Sequence, residues 1–347
     1  MKPLILITSI IVIGTFGFFA VVFNYQLKPA AADSVAENAF AIEKGNGFQQ
    51  IAENLQSAGI IHSAASFKLY VLLRGWADKL KPGSYKISPA LRANTIAKIL
   101  YNGPITEISI TIPEGWTLSM IDKKLKDSGV LAGGESLANF NIKDFQNKAG
   151  ANYFAIFEGA PKEANLEGFL FPDTYRFYQN RSALEVAKKF LTNFQNKISS
   201  ELNSQIQKTN LGYYKIVTLA SLVEAEIPHE TDRPLAAGVL WKRLNSSMPL
   251  QVDATIVYIK CEIKHLADCR KLNKSDFKIK SSYNTYLNNG LPFGPIGNPG
   301  LSALKAVLYP ETSDYWYYLS DLETGQTVFS RTLEEHNAVR AEYLKQF

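Results

Sequence analysis

Hydrophobic and polar positions divide the chain into an apolar N-terminal run and a longer body of short elements. Residues 4–23 contain no charge, and a helix of that length can cross the ~30 Å hydrocarbon core of a membrane. A cleaved signal peptide is the alternative, because residues 30–32 (Ala-Ala-Ala) offer a cleavage site of the A-x-A type. The run is longer than a usual signal peptide core and ends well before those alanines, so the pattern favours a retained anchor and an exported body.

An internal repeat follows a polar, Ala- and Pro-rich stretch, residues 24–37, that is typical of a linker. Residues 41–61 align with residues 111–131, and the two copies share their apolar and glycine positions. Each copy predicts a strand, a glycine turn and an amphipathic helix that ends at Gly59 or Gly129 in the C′ position.

Two shorter segments extend the pattern. A partial third copy covers residues 94–103, and residues 80–87 predict a turn that enters a strand. These units are typical of compact α+β modules. The repeat has two open interpretations, duplicated packing without a ligand or carbohydrate contact through the aromatic rings of Phe48, Tyr85 and Trp116.

The second half of the chain predicts longer helices. Ser182 and Glu185 have the spacing of a capping box at the start of a helix over 182–200. Other predicted helices cover 213–227, which Pro228 ends, the stretch from Thr231 or Asp232 to 245, and 302–308. The β-rich run 251–259 predicts a strand, residues 290–300 predict a rigid loop, and 315–319 with 326–330 predict a hairpin before a C-terminal helix.

Composition excludes several functional classes. The chain has 347 residues, a 46% hydrophobic share and a net charge of +5, which suits a globular protein of two or three domains. The sequence has no block of Lys and Arg interleaved with aromatic residues, the pattern that is typical of nucleic-acid binding. The sequence also has no glycine-rich phosphate loop, zinc-ligand spacing or nucleophile elbow, so we expect no nucleotide or metal cofactor.

The two cysteines of the chain, Cys261 and Cys269, flank His265. In an exported protein such a pair is typical of a disulfide that closes a short loop. Free thiols and part of a metal site are the alternatives, although three ligands at this spacing match no established metal pattern.

Two carboxylates interrupt the apolar helix predicted over 213–227. Helical spacing places apolar side chains beside both Glu224 and Glu226, where burial raises the pKa of a carboxyl group. A carboxylic acid that stays protonated near neutral pH is the general acid that glycosidic-bond cleavage needs. A solvated edge of an ordinary helix is the simpler interpretation, and the pattern alone does not choose between the two glutamates.

Further polar residues gather in three later motifs, where amide, phenol and carboxylate groups suit sugar hydroxyls. Each motif alone is a weak signal, because Asn and Asp are common in turns. The candidate substrate-binding residues, besides Glu226, are Gln251, Asp253, Tyr283, Asn284, Thr285 and Asn298.

Seven ordered motifs resemble those of the YceG-like endolytic murein transglycosylases, over roughly residues 40–345. They are PEGWT (113–117), NLEGFLFPDTY (165–175), LASLVEAE (219–226), LQVDAT (250–255), YNTY (283–286), GLPFGPIGNPG (290–300) and the late Phe329-Ser330 with His336-Asn337. Ala254 and Phe293 stand where the family pattern favours proline, and the segment between the cysteines resembles an insertion. These departures concern loop shape and leave LVEAE intact.

The resemblance implies an architecture and a division of the chain. The expected fold class is α+β, with an N-terminal transmembrane helix, a LysM-like module and an α+β transglycosylase domain. The expected domains are 1–32 (anchor and linker), 33–104 (LysM-like module) and 105–347 (catalytic domain). The expected location is the cytoplasmic membrane, with one span and an extracytoplasmic catalytic domain.

The resemblance also implies a reaction. Glu224, the first acid of LVEAE, would be the catalytic acid/base and Glu226 a supporting residue. The enzyme would be a lyase that cleaves the MurNAc–GlcNAc β-1,4 bond and leaves a 1,6-anhydroMurNAc end, terminating nascent strands. Expected partners are peptidoglycan strands and the membrane, with peptidoglycan synthases as candidates. A hydrolase in which Asp253 activates water and a glycan-binding scaffold without catalysis are the alternatives.

Overall fold

The computed structural model describes residues 17, 21–32, 38–104, 107–150, 153, 155–198, 200–209, 211–321 and 324–344. Most of the apolar run 4–23 lies outside these residues, and within them no helix is long and apolar enough to span a membrane. The chain divides into two units, residues 1–106 and 107–347. Both mix helices with short antiparallel strand pairs, so the predicted α+β class is confirmed.

The first unit is built on one antiparallel strand pair. Strands β1 (Asn38–Ile42) and β2 (Gly83–Ile87) pair along their full length. Helices α1 (Phe48–Ser57) and α2 (Ala64–Leu73) connect the strands, and α3 (Ala93–Asn102) follows β2. Alternate strand residues and the i, i+4 positions of the helices point inward, because these periods place apolar side chains on one face.

The core of this unit contains two residues that the sequence placed elsewhere, Tyr85 as a sugar-contact candidate and Leu27 in the predicted linker. Tyr85 is buried, and its hydroxyl donates to the carbonyl of Lys81, so its ring is not an exposed platform for a sugar. The predicted linker 24–37 is also not wholly free, because Leu27 is buried in the same core and its carbonyl accepts a hydrogen bond from the Ala93 N–H. A single apolar residue in a polar stretch gave no periodic signal for this packing.

The second unit begins with the second copy of the repeat. Strand β3 (Glu107–Thr111) leads through a glycine turn into α4 (Leu118–Asp127), as β1 leads into α1. Both helices end at the predicted glycines, with φ of +67° at Gly59 and +70° at Gly129. This left-handed conformation closes the helix end at low cost only for glycine.

The strand β4 (Thr174–Tyr178) pairs antiparallel with β3, after the intervening helix α5 (Ile142–Ala149). Helix α6 (Ala183–Lys197) follows, and Ser182 and Glu185 form the predicted capping box at its start. Aromatic side chains dominate the core between these elements, and Phe169, Phe190 and Phe194 are completely buried there.

A helical layer forms the rest of this core. It contains α7 (Ser200–Lys208), α8 (Gly212–Glu226), α9 (Arg233–Asn245), α10 (Asp253–Tyr258) and α11 (Leu301–Leu308). Helix α8 is central, since ten of its residues between Tyr213 and Val223 are buried. The chain closes with the predicted hairpin, β5 (Tyr317–Ser320) and β6 (Thr327–Ser330), and with α12 (Leu333–Leu344).

The strand predicted over 251–259 is wrong, because this segment forms α10 and then a π-helical turn, Ile259–Ile263. Its Val, Thr and Ile residues have high strand propensity, but burial against the helical layer decides the conformation. The disulfide prediction is confirmed, since Cys261 and Cys269 are bonded to each other, which excludes the free-thiol and metal alternatives.

Candidate active site

The two candidate acids lie in the last turn of helix α8. The helix ends at Glu226, and Pro228 follows two residues later, where it disfavours helical conformation for the preceding residue. Only 6% of the Glu224 side chain is exposed. The apolar environment that the sequence predicts for this acid is therefore present.

Glu224 accepts two strong hydrogen bonds. The Arg233 guanidinium donates from Nη2 to Oε1 over 2.6 Å, and the backbone N–H of Gly300 donates to Oε2 over 3.0 Å. Arg233 begins helix α9, and Gly300 is the N-cap of helix α11. Three segments that are distant in sequence thus converge on one carboxylate.

The pKa of Glu224 is raised above the ordinary value of a glutamate. Burial is the largest cause, and the negative charge of Glu114 acts in the same direction. The Gly300 N–H and the positive charge of Arg233 oppose this shift, because both favour the ionised form. Burial and Glu114 thus disfavour the ionised form of this acid, whereas Gly300 and Arg233 favour it.

Neither Arg233 nor Glu114 was predicted from the sequence to be a functional residue. The Arg233 side chain is 6% exposed and also donates from Nε to the carbonyl of Ile227 over 3.2 Å. Its Nη1 lies 3.7 Å from Oε2 of Glu114, the glutamate of PEGWT. An arginine at the first position of a helix gives no pattern signal, so this contact could not be found without the fold.

An open cleft of about 510 Å³ adjoins this cluster. Its lining mixes charged, hydroxyl and apolar side chains, which suits a polymer that carries both hydroxyl groups and apolar ring faces. The lining residues are Glu114, Glu230, Pro234, Leu301, Ser302, Lys305, Ala306 and Tyr309.

Glu226 has a different environment. The backbone N–H of Ala254, in the first turn of α10, donates to Oε1 over 2.9 Å. Burial raises the pKa of Glu226 to about 7, and the neighbouring Asp253 adds to the shift. Asp253 itself accepts a hydrogen bond from the Tyr286 hydroxyl.

The remaining predicted binding residues fall into two groups. Gln251 is exposed with φ of +52°, and Tyr283 is half-buried between the rings of Tyr258 and Phe293. Both present side-chain surface that a ligand can reach. The half-buried Trp116 and Phe48 also keep accessible ring surface.

Asn284, Thr285 and Asn298 are buried and bonded within the protein. Asn284 donates to the carbonyls of Phe277 and Ile279. The Thr285 hydroxyl accepts from the Val252 N–H over 3.0 Å. Such residues shape loops, so this geometry favours a positioning role for them over direct contact with a sugar.

Asn298 connects the PEGWT loop to a second buried acid, Glu167. Its Nδ2 donates to the carbonyl of Trp116 over 2.8 Å and to Oε1 of Glu167 over 3.0 Å. Glu167 also accepts from the Leu118 N–H and the Tyr258 hydroxyl. Burial raises the pKa of Glu167 to about 8, although the hydrogen bonds from Leu118 and Tyr258 oppose the shift.

Comparison with known proteins gives consistent results. The profile of the YceG-like family matches residues 40–342. The endolytic murein transglycosylase of Bacillus subtilis (strain 168) is 32% identical over 323 residues, which cover 92% of this chain and 88% of the relative. The protein of that name from Streptococcus pneumoniae serotype 2 is 30% identical over 345 residues, covering 93% of this chain and 62% of the relative.

A solved structure is similar as well. The crystal structure of a YceG-like protein from Listeria monocytogenes has a TM-score of 0.57 and 32% sequence identity to this chain. The match covers 88% of this chain and all of that chain.

Proposed function

The chain belongs to the YceG-like family, and from this premise we propose that it is an endolytic murein transglycosylase with Glu224 as its single acid–base group. The observation that carries the assignment of Glu224 is its buried carboxylate, held at 2.6 Å by Arg233 and at 3.0 Å by the Gly300 N–H. Burial makes protonation accessible, while these two donors stabilise the carboxylate that forms when the proton leaves.

The proposed reaction has two proton transfers through the same group. Protonated Glu224 donates to the oxygen of the MurNAc–GlcNAc β-1,4 bond, and positive charge develops at C1 of MurNAc. The resulting carboxylate accepts the proton of the C6 hydroxyl of that sugar, whose oxygen attacks C1 and closes a 1,6-anhydro ring. No water is consumed, and Glu224 regains its proton at the end of the cycle.

The product ends test this reaction against hydrolysis. We propose mass spectrometry of purified glycan strands after incubation with the protein. Transglycosylation yields strands with anhydro ends, whereas a hydrolase that uses Asp253 to activate water yields reducing ends that are heavier by one water. Unchanged strands would favour a glycan-binding scaffold.

The first unit supports the proposal of a LysM-like module at residues 33–104. From residue 38 onward the order is β1, α1, α2 and β2, so that both helices lie in the sequence between two strands that pair with each other. Such a module would hold glycan while the catalytic domain, proposed at 105–347, cuts it. Isolated residues 33–104 should then bind purified strands, and failure to sediment with them would contradict this assignment.

A membrane anchor is proposed from the apolar run 4–23 alone. It would place the catalytic domain outside the cytoplasm, where its substrate lies, and near peptidoglycan synthases as candidate partners. A reporter fused after Phe347 should be active only in the exported compartment. Activity in the cytoplasm would contradict the proposed orientation.

A further inference from the structure

The contacts of Glu224 raise a chemical problem for its proposed role. Arg233 at 2.6 Å and the Gly300 N–H at 3.0 Å both stabilise a carboxylate, yet a general acid must begin the reaction with a proton. Some feature of the site has to compensate for Arg233 when Glu224 is protonated. The geometry of Glu114 supplies one.

One nitrogen of the Arg233 guanidinium, Nη1, lacks a hydrogen-bond acceptor among the described residues. Nε donates to Ile227 and Nη2 to Glu224, whereas Nη1 is buried and has no hydrogen-bond partner among the residues that the structure describes. The carboxylate of Glu114 lies close to this atom, with Oε2 at 3.7 Å from Nη1. A movement of about 1 Å would bring this pair into the usual range of a charged hydrogen bond, about 2.7–2.9 Å.

The position of Glu114 is defined by a close approach to Gly300. A Cβ atom added at residue 300 would lie 1.8 Å from Oε1 of Glu114, so a side chain there would displace the carboxylate. The φ of Gly300 is −80°, which any residue can adopt. A glycine at this position therefore leaves room for the Glu114 carboxylate where it now lies, although the backbone conformation does not require one.

We propose that Glu114 is a positioning residue that shares Arg233 with Glu224 and so keeps Glu224 able to carry a proton; this inference rests on the proposed acid–base role of Glu224. When Glu224 is protonated, the positive charge of Arg233 is balanced by Glu114. When Glu224 gives its proton to the glycosidic oxygen, Arg233 returns to the new carboxylate. The proton count of the reaction is unchanged, because Glu114 transfers no proton in this scheme.

The charged groups around Glu224 determine the direction of the effect. Arg233 and the N–H of Gly300 at the start of α11 favour the ionised form, and Glu114 opposes it. Glu230 and Lys305, of opposite charge, line the adjoining cleft. Loss of the Glu114 charge leaves Arg233 to act on Glu224 alone, so the pKa of Glu224 should fall.

The test is the pH profile of strand cleavage by the full chain carrying Glu114→Gln. The alkaline limb should move to lower pH by about one pH unit, the lower end of the range for a nearby charge because 44% of the Glu114 side chain is exposed. At a pH above the midpoints of the alkaline limbs of both proteins, Glu114→Gln should therefore be about tenfold less active than the wild type. Glu114→Asp keeps the charge and should restore part of the lost activity there.

Glu230→Gln is the matched control. It removes one negative charge from the same cleft without removing the carboxylate that faces Nη1 of Arg233, so it should move the limb much less than Glu114→Gln does. An equal movement of the alkaline limb in both variants would contradict the proposal. It would show that Glu114 acts only through its negative charge in the cleft and not through its position beside Arg233. An unmoved limb in Glu114→Gln would overturn the proposal as well.

A titration of Glu224 itself separates this inference from the proposed function. With ¹³C-labelled glutamate, carboxyl resonances that vanish in Glu224→Gln identify residue 224, and their midpoint should fall in Glu114→Gln. If the midpoint falls but Glu224→Gln still cuts strands, the charge sharing holds and the acid–base assignment fails. If Glu224→Gln is inactive and the midpoint stays, the assignment holds and the sharing fails.

Discussion

Glu224 and Glu226 lie two residues apart on one helix, yet their carboxylates accept hydrogen bonds from different segments. The Gly300 N–H donates to Glu224 over 3.0 Å, and the Ala254 N–H donates to Glu226 over 2.9 Å. Residues i and i+2 of a helix do not share a face, so each acid serves a different surface. The contact with Arg233 belongs to Glu224. This difference gives the two acids separable roles.

Glu226→Gln should therefore lower the rate of strand cleavage by less than about tenfold, whereas loss of an acid–base group costs about 10²–10⁴-fold. A glutamine oxygen can still accept from the Ala254 N–H. The measurement is the release of cut strands at a fixed pH. Glu226→Ala is the control, because it removes the acceptor and should also destabilise the fold, by about 1–3 kcal/mol. A completely inactive but folded Glu226→Gln protein would contradict the supporting role.

The buried Glu167 should make stability depend on pH. Its pKa of about 8 in the folded state lies above the ordinary glutamate value of 4.5. The folded state therefore binds a proton that the unfolded state releases, and this contribution is complete below pH 4.5 and lost as pH rises through 8. The free energy of unfolding should fall over this window by at most about 5 kcal/mol.

Glu167→Gln is the variant that isolates this effect. A glutamine can keep hydrogen bonds with Leu118, Asn298 and Tyr258 but has no proton to lose. Urea unfolding at about pH 5, 7 and 8.5 should show a weaker pH dependence in the variant than in the wild type. Identical slopes in the two proteins would show that Glu167 is ionised throughout and that its pKa is not raised.

Two glycines should respond differently to alanine. At Gly238, in helix α9, an added Cβ would lie 1.9 Å from the backbone oxygen of Glu311, which cannot move aside easily. Gly238→Ala should lower the free energy of unfolding by about 1–3 kcal/mol, despite the higher helix propensity of alanine. At Gly300 the obstacle is the Glu114 side chain, which is half exposed and can rotate away.

Gly300→Ala should accordingly fold with a small loss of stability and move the alkaline limb of activity in the same direction as Glu114→Gln. Thermal unfolding and a pH profile of both variants provide the comparison. A Gly300→Ala protein that is less stable than Gly238→Ala would show that the carboxylate cannot move, contrary to its exposure.

Local patterns in the sequence predicted much of the fold. Ser182 with Glu185, the terminating glycines Gly59 and Gly129, and the apolar helix before Pro228 depend on neighbours within a few residues, and each is present as predicted. The run 251–259 was predicted wrongly because its β-branched residues are buried against helices. Strand propensity is a property of the individual residues, whereas burial against helices depends on how the whole domain packs.

The candidate site could be predicted only in part for the same reason. Glu224 lies in a recognisable apolar helix, but Arg233 and Glu114 reach it from a helix start and from a loop 110 residues earlier in the chain. Asn284 and Asn298 matched the composition of a sugar site, yet their amides bond to the protein backbone. Sequence shows which polar groups exist, and only the fold shows which of them remain free.

The most direct test of the account is the release of anhydro-ended fragments from purified glycan strands by the wild type and by Glu224→Gln, quantified by mass spectrometry. Glu224→Gln should retain the fold and bind strands, with product release reduced by about 10⁴-fold or more, since one group serves both proton transfers. Wild-type product release by Glu224→Gln, with Glu226→Gln inactive, would contradict the assignment of Glu224 as the acid–base group.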